Sequence, residues 1–202
     1  MSFFEPPPPP PEPPEPVAAP PWHGPPGNEL GVAVPIRYVL VRTDELAILL
    51  DGLVAFSTGV ELEVTVKSRN RQESHEFHRL REDVHVGFRF ADGRKATSLG
   101  HRAWDEERPD PLLMQRGGSG SDRELRQRYW LWPLPPPGPL QAVVAWPERG
   151  IAEAEVEVDG AAILEAAARV DTLWPNDGEP SSGGWTSSTV TATRREPGER
   201  DG

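Results

Sequence analysis

The sequence contains no cysteine, and only two of its 21 basic residues, Lys67 and Lys95, are lysines. Without cysteine the chain can form no disulfide framework, thiolate metal site or cysteine nucleophile. The 32 acidic residues leave a formal net charge of −11. This excess disfavours a nucleic-acid interface and an anionic membrane surface, so neither partner is expected. The preference for arginine over lysine indicates a GC-rich genome rather than a function.

Long apolar runs are also missing. No stretch approaches the ~18 apolar residues that a membrane-spanning helix requires. Residues 1–17 lack the basic region and apolar segment of a secretory signal peptide. The sequence therefore predicts a soluble cytoplasmic protein, and no motif in it indicates a cofactor.

Proline is abundant, with 25 residues, and its distribution divides the chain into three parts. Residues 1–29 form a proline-rich arm, predicted to be disordered, extended and solvated. Residues 176–202 are rich in glycine, serine, threonine and charge, and are predicted to be a disordered tail. Residues 30–175 between them have the size and apolar content of a single domain.

The organising stretch of that domain is residues 126–170. In residues 152–158, alanine and valine alternate with Glu153, Glu155 and Glu157, which predicts a half-buried strand of an antiparallel sheet. Neighbouring carboxylates on its polar face lie about 6.6 Å apart, so we expect basic residues opposite them. The candidates belong to two other polar segments: Arg126 and Arg128, or Lys67, Arg69 and Arg71.

The same stretch contains a proline corner and a helix. Residues 133–139 carry five prolines and Gly138, so they are predicted to form a surface turn between strands 129–132 and 142–146. Asp159 is suited to cap a short helix over residues 161–169. The predicted order is strand, proline corner, strand, turn, strand and helix.

The first half of the domain shows further strands at residues 36–41, 60–67 and 84–90. Asp92-Gly93 predicts a hairpin after the last of these, whereas Asp51-Gly52 is either a tight turn or a bulge within one strand. The whole pattern predicts a mainly β protein: an antiparallel β-sandwich or open barrel with one short C-terminal helix, flanked by disordered termini. Residues 104–127 are predicted to be irregular, with a flexible loop at 117–121 that lacks the lysine of a phosphate-binding loop.

Three histidines are candidate metal ligands: His75, His78 and His85. A zinc-protease helix needs two histidines four residues apart, whereas His75 and His78 are three apart and their flanks carry no apolar stripe. A solvated polar loop is the favoured interpretation. If metal does bind, this region supports a small metal-dependent or hydrolytic enzyme.

A second candidate site combines aromatic and basic residues on one strand. Trp130 and Trp132 share a face with Arg126 and Arg128, so an exposed face would offer stacking surface and forked hydrogen-bond donors to a ligand. Burial of the tryptophans in the core is the favoured alternative, because large exposed aromatic patches are rare.

These observations favour a non-enzymatic binding or accessory domain, with a protein or small molecule as partner and no cofactor. One alternative is the enzyme using the region from His75 to His85. Another is an adaptor that acts through its proline-rich arm. The texture of residues 133–170 is similar to that of small actinobacterial proteins, a similarity that assigns no functional residue.

Overall fold

The structure is a computed structural model, and it describes residues 20–71, 84–99 and 110–175. The strands in these ranges are β1 (Glu29–Leu30), β2 (Val32–Val34), β3 (Tyr38–Arg42), β4 (Leu46–Ala55), β5 (Val60–Ser68), β6 (His85–Arg89), β7 (Lys95–Thr97), β8 (Leu112–Gly120), β9 (Glu124–Trp132), β10 (Leu140–Trp146), β11 (Ile151–Val158) and β12 (Asp171–Thr172). Helix α1 spans Gly160–Ala167, and 3₁₀ turns occupy Pro21–His23 and Pro147–Arg149. No helix in these ranges is long and apolar enough to cross a membrane.

The strands form three antiparallel sheets. The largest has the order β2-β4-β5-β9-β8, with β3 also paired to β4, and the second has the order β11-β10-β6-β7. The short strands β1 and β12 pair with each other. The predicted fold class is confirmed: the protein is mainly β, with antiparallel sheets and one short helix near the end of the described residues. Of the predicted disordered segments, 1–29 and 176–202, residues 1–19 and 176–202 lie outside the described residues. Residues 20–29 are described, and they include the 3₁₀ turn Pro21–His23 and Glu29 of β1.

The inner faces of the two larger sheets share one apolar core. In β5 the buried residues include Val60, Leu62, Val64 and Val66, which alternate with polar residues as the period-2 pattern predicts. Phe88 of β6 and Val144 of β10 come from the opposite sheet and belong to the same buried cluster. The alternating pattern therefore assigned the buried face of these strands correctly.

Two glycines decide the local geometry of the first half. Gly52 has a φ of +66° inside β4, and the register with β5 shifts between Asp51 and Val54, so this site is a bulge in one long strand rather than a hairpin turn. Gly93 has a φ of +88° and lies in the turn that joins β6 to β7. The predicted Asp92-Gly93 hairpin is confirmed.

The prediction that residues 104–127 are irregular is wrong for most of the segment. Strand β8 runs from Leu112 to Gly120 at the edge of the largest sheet, and β9 begins at Glu124. Glycine has a low strand propensity, but here it allows close pairing: a Cβ at Gly118 would lie 2.5 Å from the Arg126 carbonyl oxygen. Residues 104–109 lie outside the described residues.

The proline corner connects the two larger sheets. Both flanking strands form, but β9 belongs to the largest sheet and β10 to the second, so the corner carries the chain from one layer to the other. After β11, the Asp159 carboxylate accepts a hydrogen bond from the Ala162 N–H at 3.1 Å. The predicted helix cap is confirmed.

The predicted partners of the β11 carboxylates are wrong. Arg89 of β6 pairs with Glu155, and the Gln141 side-chain amide donates to Glu157. The basic residues named from the sequence lie in or beside β5 and β9 of the other sheet, where three of them form different ion pairs: Lys67 with Glu124, Arg126 with Glu63 and Glu124, and Arg71 with Asp122. Because β6 and β11 are far apart in the sequence, no local pattern indicated that β6 would lie only two strands from β11 in the sheet.

Candidate functional site

The four residues of the predicted ligand-binding face all lie on the outer side of β9. Their intervening neighbours, including Gln127 and Tyr129, point inward and are buried. The even-numbered residues, from Arg126 to Trp132, point away from the core. The structure therefore brings the predicted set together on one face.

The tryptophan end of this face is covered. Trp130 has 0% of its surface exposed but is not a member of the core cluster between the sheets. Its indole meets the Phe56 ring edge to face, with ring centroids 5.8 Å apart. Gly59 makes room for it, since a Cβ there would lie 2.7 Å from the Trp130 ring. We call Phe56, Trp130 and Trp132 the aromatic face.

The cover comes from residues 20–23, within the proline-rich arm. The Trp130 indole N–H donates to the Pro21 carbonyl at 3.2 Å. Trp22 contacts Trp132 edge to face, with centroids 5.9 Å apart. The Arg116 guanidinium donates to the His23 carbonyl. Residues that the sequence places in a solvated arm thus lie against the outer side of the largest sheet.

The arginine end of β9 stays open to solvent. Arg126 forms ion pairs with Glu124 and Glu63, and the Glu124 contact raises the pKa of the Arg126 guanidinium. Hydrogen bonds from Lys67 and then Arg126 lower the pKa of Glu124. Arg128 is also exposed and has no ion-pair partner among the described residues.

This arrangement offers contacts for binding. The aromatic face supplies apolar area, Trp130 an indole N–H donor, and Arg116 a guanidinium that is close enough to bond a backbone carbonyl. All of these suit a short peptide segment, whose carbonyls accept hydrogen bonds and whose side chains can pack on rings. A ligand can contact Trp130 only if residues 20–23 move away from it.

The candidate metal ligands are only partly described. His75 and His78 lie outside the described residues, so the metal-site prediction stays a prediction. His85 begins β6, pairs with Ala145 of β10 and is half-buried. Within residues 20–71, 84–99 and 110–175, no group of three or more His, Cys, Asp or Glu side chains is placed to hold a metal ion.

Sequence reasoning missed Trp22, Phe56 and Arg116. Trp22 belongs to the only proline-tryptophan pair in the sequence and stands within PPWHGPP. An aromatic residue inside a solvated arm has no apolar partner nearby in sequence, so it was a signal that the arm docks elsewhere. Phe56 and Arg116 carry no comparable signal, because nothing local shows that they approach β9.

Comparisons of this chain with protein-family models, curated proteins and solved structures gave no match.

Proposed function

We propose that this protein is a non-enzymatic binding domain whose ligands are short, proline-containing peptide segments of other proteins, bound as a tight turn. The aromatic face and Arg116 form the proposed binding surface. Arg126 and Arg128 continue that surface along β9.

The observation that supports this proposal most strongly is the hydrogen bond from the Trp130 indole to the Pro21 carbonyl, at 3.2 Å. Proline has no backbone N–H, so its carbonyl is the only backbone group that can anchor it by a hydrogen bond. Domains that recognise proline-containing segments use aromatic surfaces, and the fixed φ of proline lowers the cost of ordering such a segment, here in the 3₁₀ turn Pro21–His23. Trp132 and Phe56 provide the aromatic surface beside Trp130.

The contact pattern of residues 20–23 supports a recognition surface over ordinary sheet packing. Within the described residues, this segment forms no strand pairing, and its one internal backbone hydrogen bond runs from His23 to Pro20. It contacts β9 through the Pro21 carbonyl, which accepts from Trp130, and through the Trp22 ring, which packs against Trp132. These are the contacts that a peptide ligand makes with a rigid domain.

The test is a titration with the labelled peptide PPWHGPPG, followed by fluorescence anisotropy, on full-length protein carrying Trp22→Ala. That substitution removes the ring of the protein's own segment and leaves the surface intact. We expect binding, and at least about tenfold weaker binding when Trp130→Phe is added. An aromatic ring remains at this position, but the indole N–H is lost, and a buried carbonyl left without its donor costs ~1–3 kcal/mol.

Trp174→Phe in the same background is the matched control, since Trp174 is 54% exposed and its ring forms neither of the edge-to-face contacts made by Trp130 and Trp132. We expect it to leave the affinity unchanged. Equal affinities of the Trp130→Phe and Trp174→Phe proteins, or no binding of the peptide to any of them, would contradict the proposal.

A further inference from the structure

We infer that the Pro21-Trp22-His23 turn is a built-in competitor for the aromatic face, and that a partner must displace it with a proline followed directly by an aromatic residue. This inference rests on the proposed function and specifies both the ligand motif and the regulation of that site.

The motif follows from the register of three consecutive contacts. The Pro21 carbonyl accepts from Trp130, the Trp22 ring meets Trp132, and the His23 carbonyl accepts from Arg116. The first contact needs a backbone carbonyl that the Trp130 indole N–H can reach, as proline provides at position 21. The second contact needs an aromatic ring. The third uses only the backbone, so the side chain at the His23 position is not selected.

The turn can leave without disrupting a sheet. The first strand pairing after it is Glu29–Leu30 with β12, and the Glu29 carboxylate accepts hydrogen bonds from the Ser57 N–H and hydroxyl. This anchor holds the chain at residue 29. Asn28 is held as well, because its carbonyl accepts from the Leu173 N–H and its side-chain amide donates to the Trp174 carbonyl. The remaining connection, residues 24–27, has a glycine on either side of two prolines, so the turn can swing away about these glycines while β1 stays in place.

The tether makes the turn a strong competitor. A segment held by a short flexible connection has an effective concentration in the millimolar range. A free peptide with the same contacts therefore displaces it only when the peptide concentration reaches that range. The apparent affinity of a partner falls in proportion to the fraction of molecules whose surface is free. A longer partner gains from Arg126 and Arg128, which are exposed on the same face of β9.

The test compares wild-type protein with Trp22→Ala, both at full length, using labelled PPWHGPPG. We expect the Trp22→Ala protein to bind it at least about tenfold more tightly, because the competitor has lost its ring contact. The isomeric peptide PPHWGPPG, in which tryptophan no longer follows proline, should bind that variant at least about tenfold more weakly than PPWHGPPG.

Each outcome has a separate meaning. Binding of PPWHGPPG with equal affinity to wild type and Trp22→Ala would overturn the competition while leaving the proposed function in place. Equal binding of the two peptides would overturn the motif. No binding to a folded Trp22→Ala protein would overturn the proposed function itself. A wild-type dimer in sedimentation that Trp22→Ala abolishes would place the turn on a second copy and overturn its role as a competitor within one chain.

A second measurement avoids dependence on the variant's folding. In wild-type protein labelled with 5-fluorotryptophan, the Trp22 resonance is assigned by its loss in Trp22→Phe. Titration with millimolar PPWHGPPG should move this resonance to its solvent-exposed position. Saturable binding that leaves it unmoved would contradict displacement.

Discussion

The sequences of β9 and β11 both alternate between two kinds of residue. Only β11 has the usual arrangement, in which polar residues occupy the outer face. In β11 Ala154, Val156 and Val158 pack in or against the core, whereas Ala152 and the three glutamates are exposed. In β9 the inner face is apolar apart from Gln127, but the outer face changes from Arg126 and Arg128 to tryptophan. The cover for that tryptophan end lies 109 residues earlier in the chain.

The difference shows where the chain needs a partner segment. The charged face of β11 is stable in water, because its carboxylates are solvated and one is paired with Arg89. The outer face of β9 would leave two tryptophans in water without residues 20–23, and such a patch marks an interaction site. A break in alternation thus separates a surface that faces solvent from one that needs a covering segment, here residues 20–23.

The substitution that tests this difference most strongly is Trp130→Ala. We expect a loss of about 3–5 kcal/mol in the free energy of unfolding, the usual range for a fully buried tryptophan, even though Trp130 lies outside the main core. Urea denaturation measures it. The control Trp174→Ala, at a position 54% exposed, should change stability by no more than about 0.5 kcal/mol. Similar losses for both would mean that residues 20–23 do not bury Trp130 in solution.

The second prediction concerns the helix that follows β11, where structure depends on local sequence. Asp159→Ala should cost about 1 kcal/mol of unfolding free energy, because it removes the acceptor of the Ala162 N–H. Asp159→Asn keeps a capping oxygen and should retain most of the stability in the same denaturation experiment. An asparagine variant as unstable as the alanine variant would contradict capping as the cause.

These two positions also show what the sequence could predict. Asp159 and the alternation around Leu62, Phe88 and Val156 are local signals, and each predicted its element correctly. Strand β8 was missed because its glycines have low strand propensity and are held by pairing with β9. The packing of Trp22 against Trp132 depends on where two distant segments meet, which no local pattern encodes. The grouping of Arg126, Arg128, Trp130 and Trp132 was predictable; their cover was not.

A smaller effect tests whether the charged face of β11 is as passive as its exposure indicates. Arg89 and Glu155 form an ion pair in which both side chains are about two-fifths exposed. A double-mutant cycle with Arg89→Ala and Glu155→Ala should give a coupling free energy of about 0.2–1 kcal/mol that declines with added salt. A coupling above that range, insensitive to salt, would show that this face is more strongly organised than we infer.

The smallest expected effect is a pH dependence on the open, arginine end of β9. The Lys67 hydrogen bond, followed by that of Arg126, lowers the pKa of Glu124 in the folded protein below its ordinary value of 4.5. A carboxylate whose pKa is lowered by folding stabilises the protein above its unfolded pKa and loses that contribution as the pH falls through the folded one. The stability difference between wild type and Glu124→Gln should therefore be present at pH 7 and shrink below about pH 4.5.

The stability difference between wild type and Glu124→Gln should stay below about 1 kcal/mol, because the ion pair of Glu124 and Lys67 is solvent-accessible and screened. Chemical denaturation of both proteins at pH 7 and pH 3 measures the difference. Repeating the comparison with Lys67→Met, which removes the leading cause of the lowered pKa, should flatten the pH dependence. If the dependence is unchanged there, Arg126 alone holds the Glu124 carboxylate in its charged form. The guanidinium of Arg126 would then be committed to Glu124, leaving Arg128 as the arginine of β9 that a ligand's acidic group can engage.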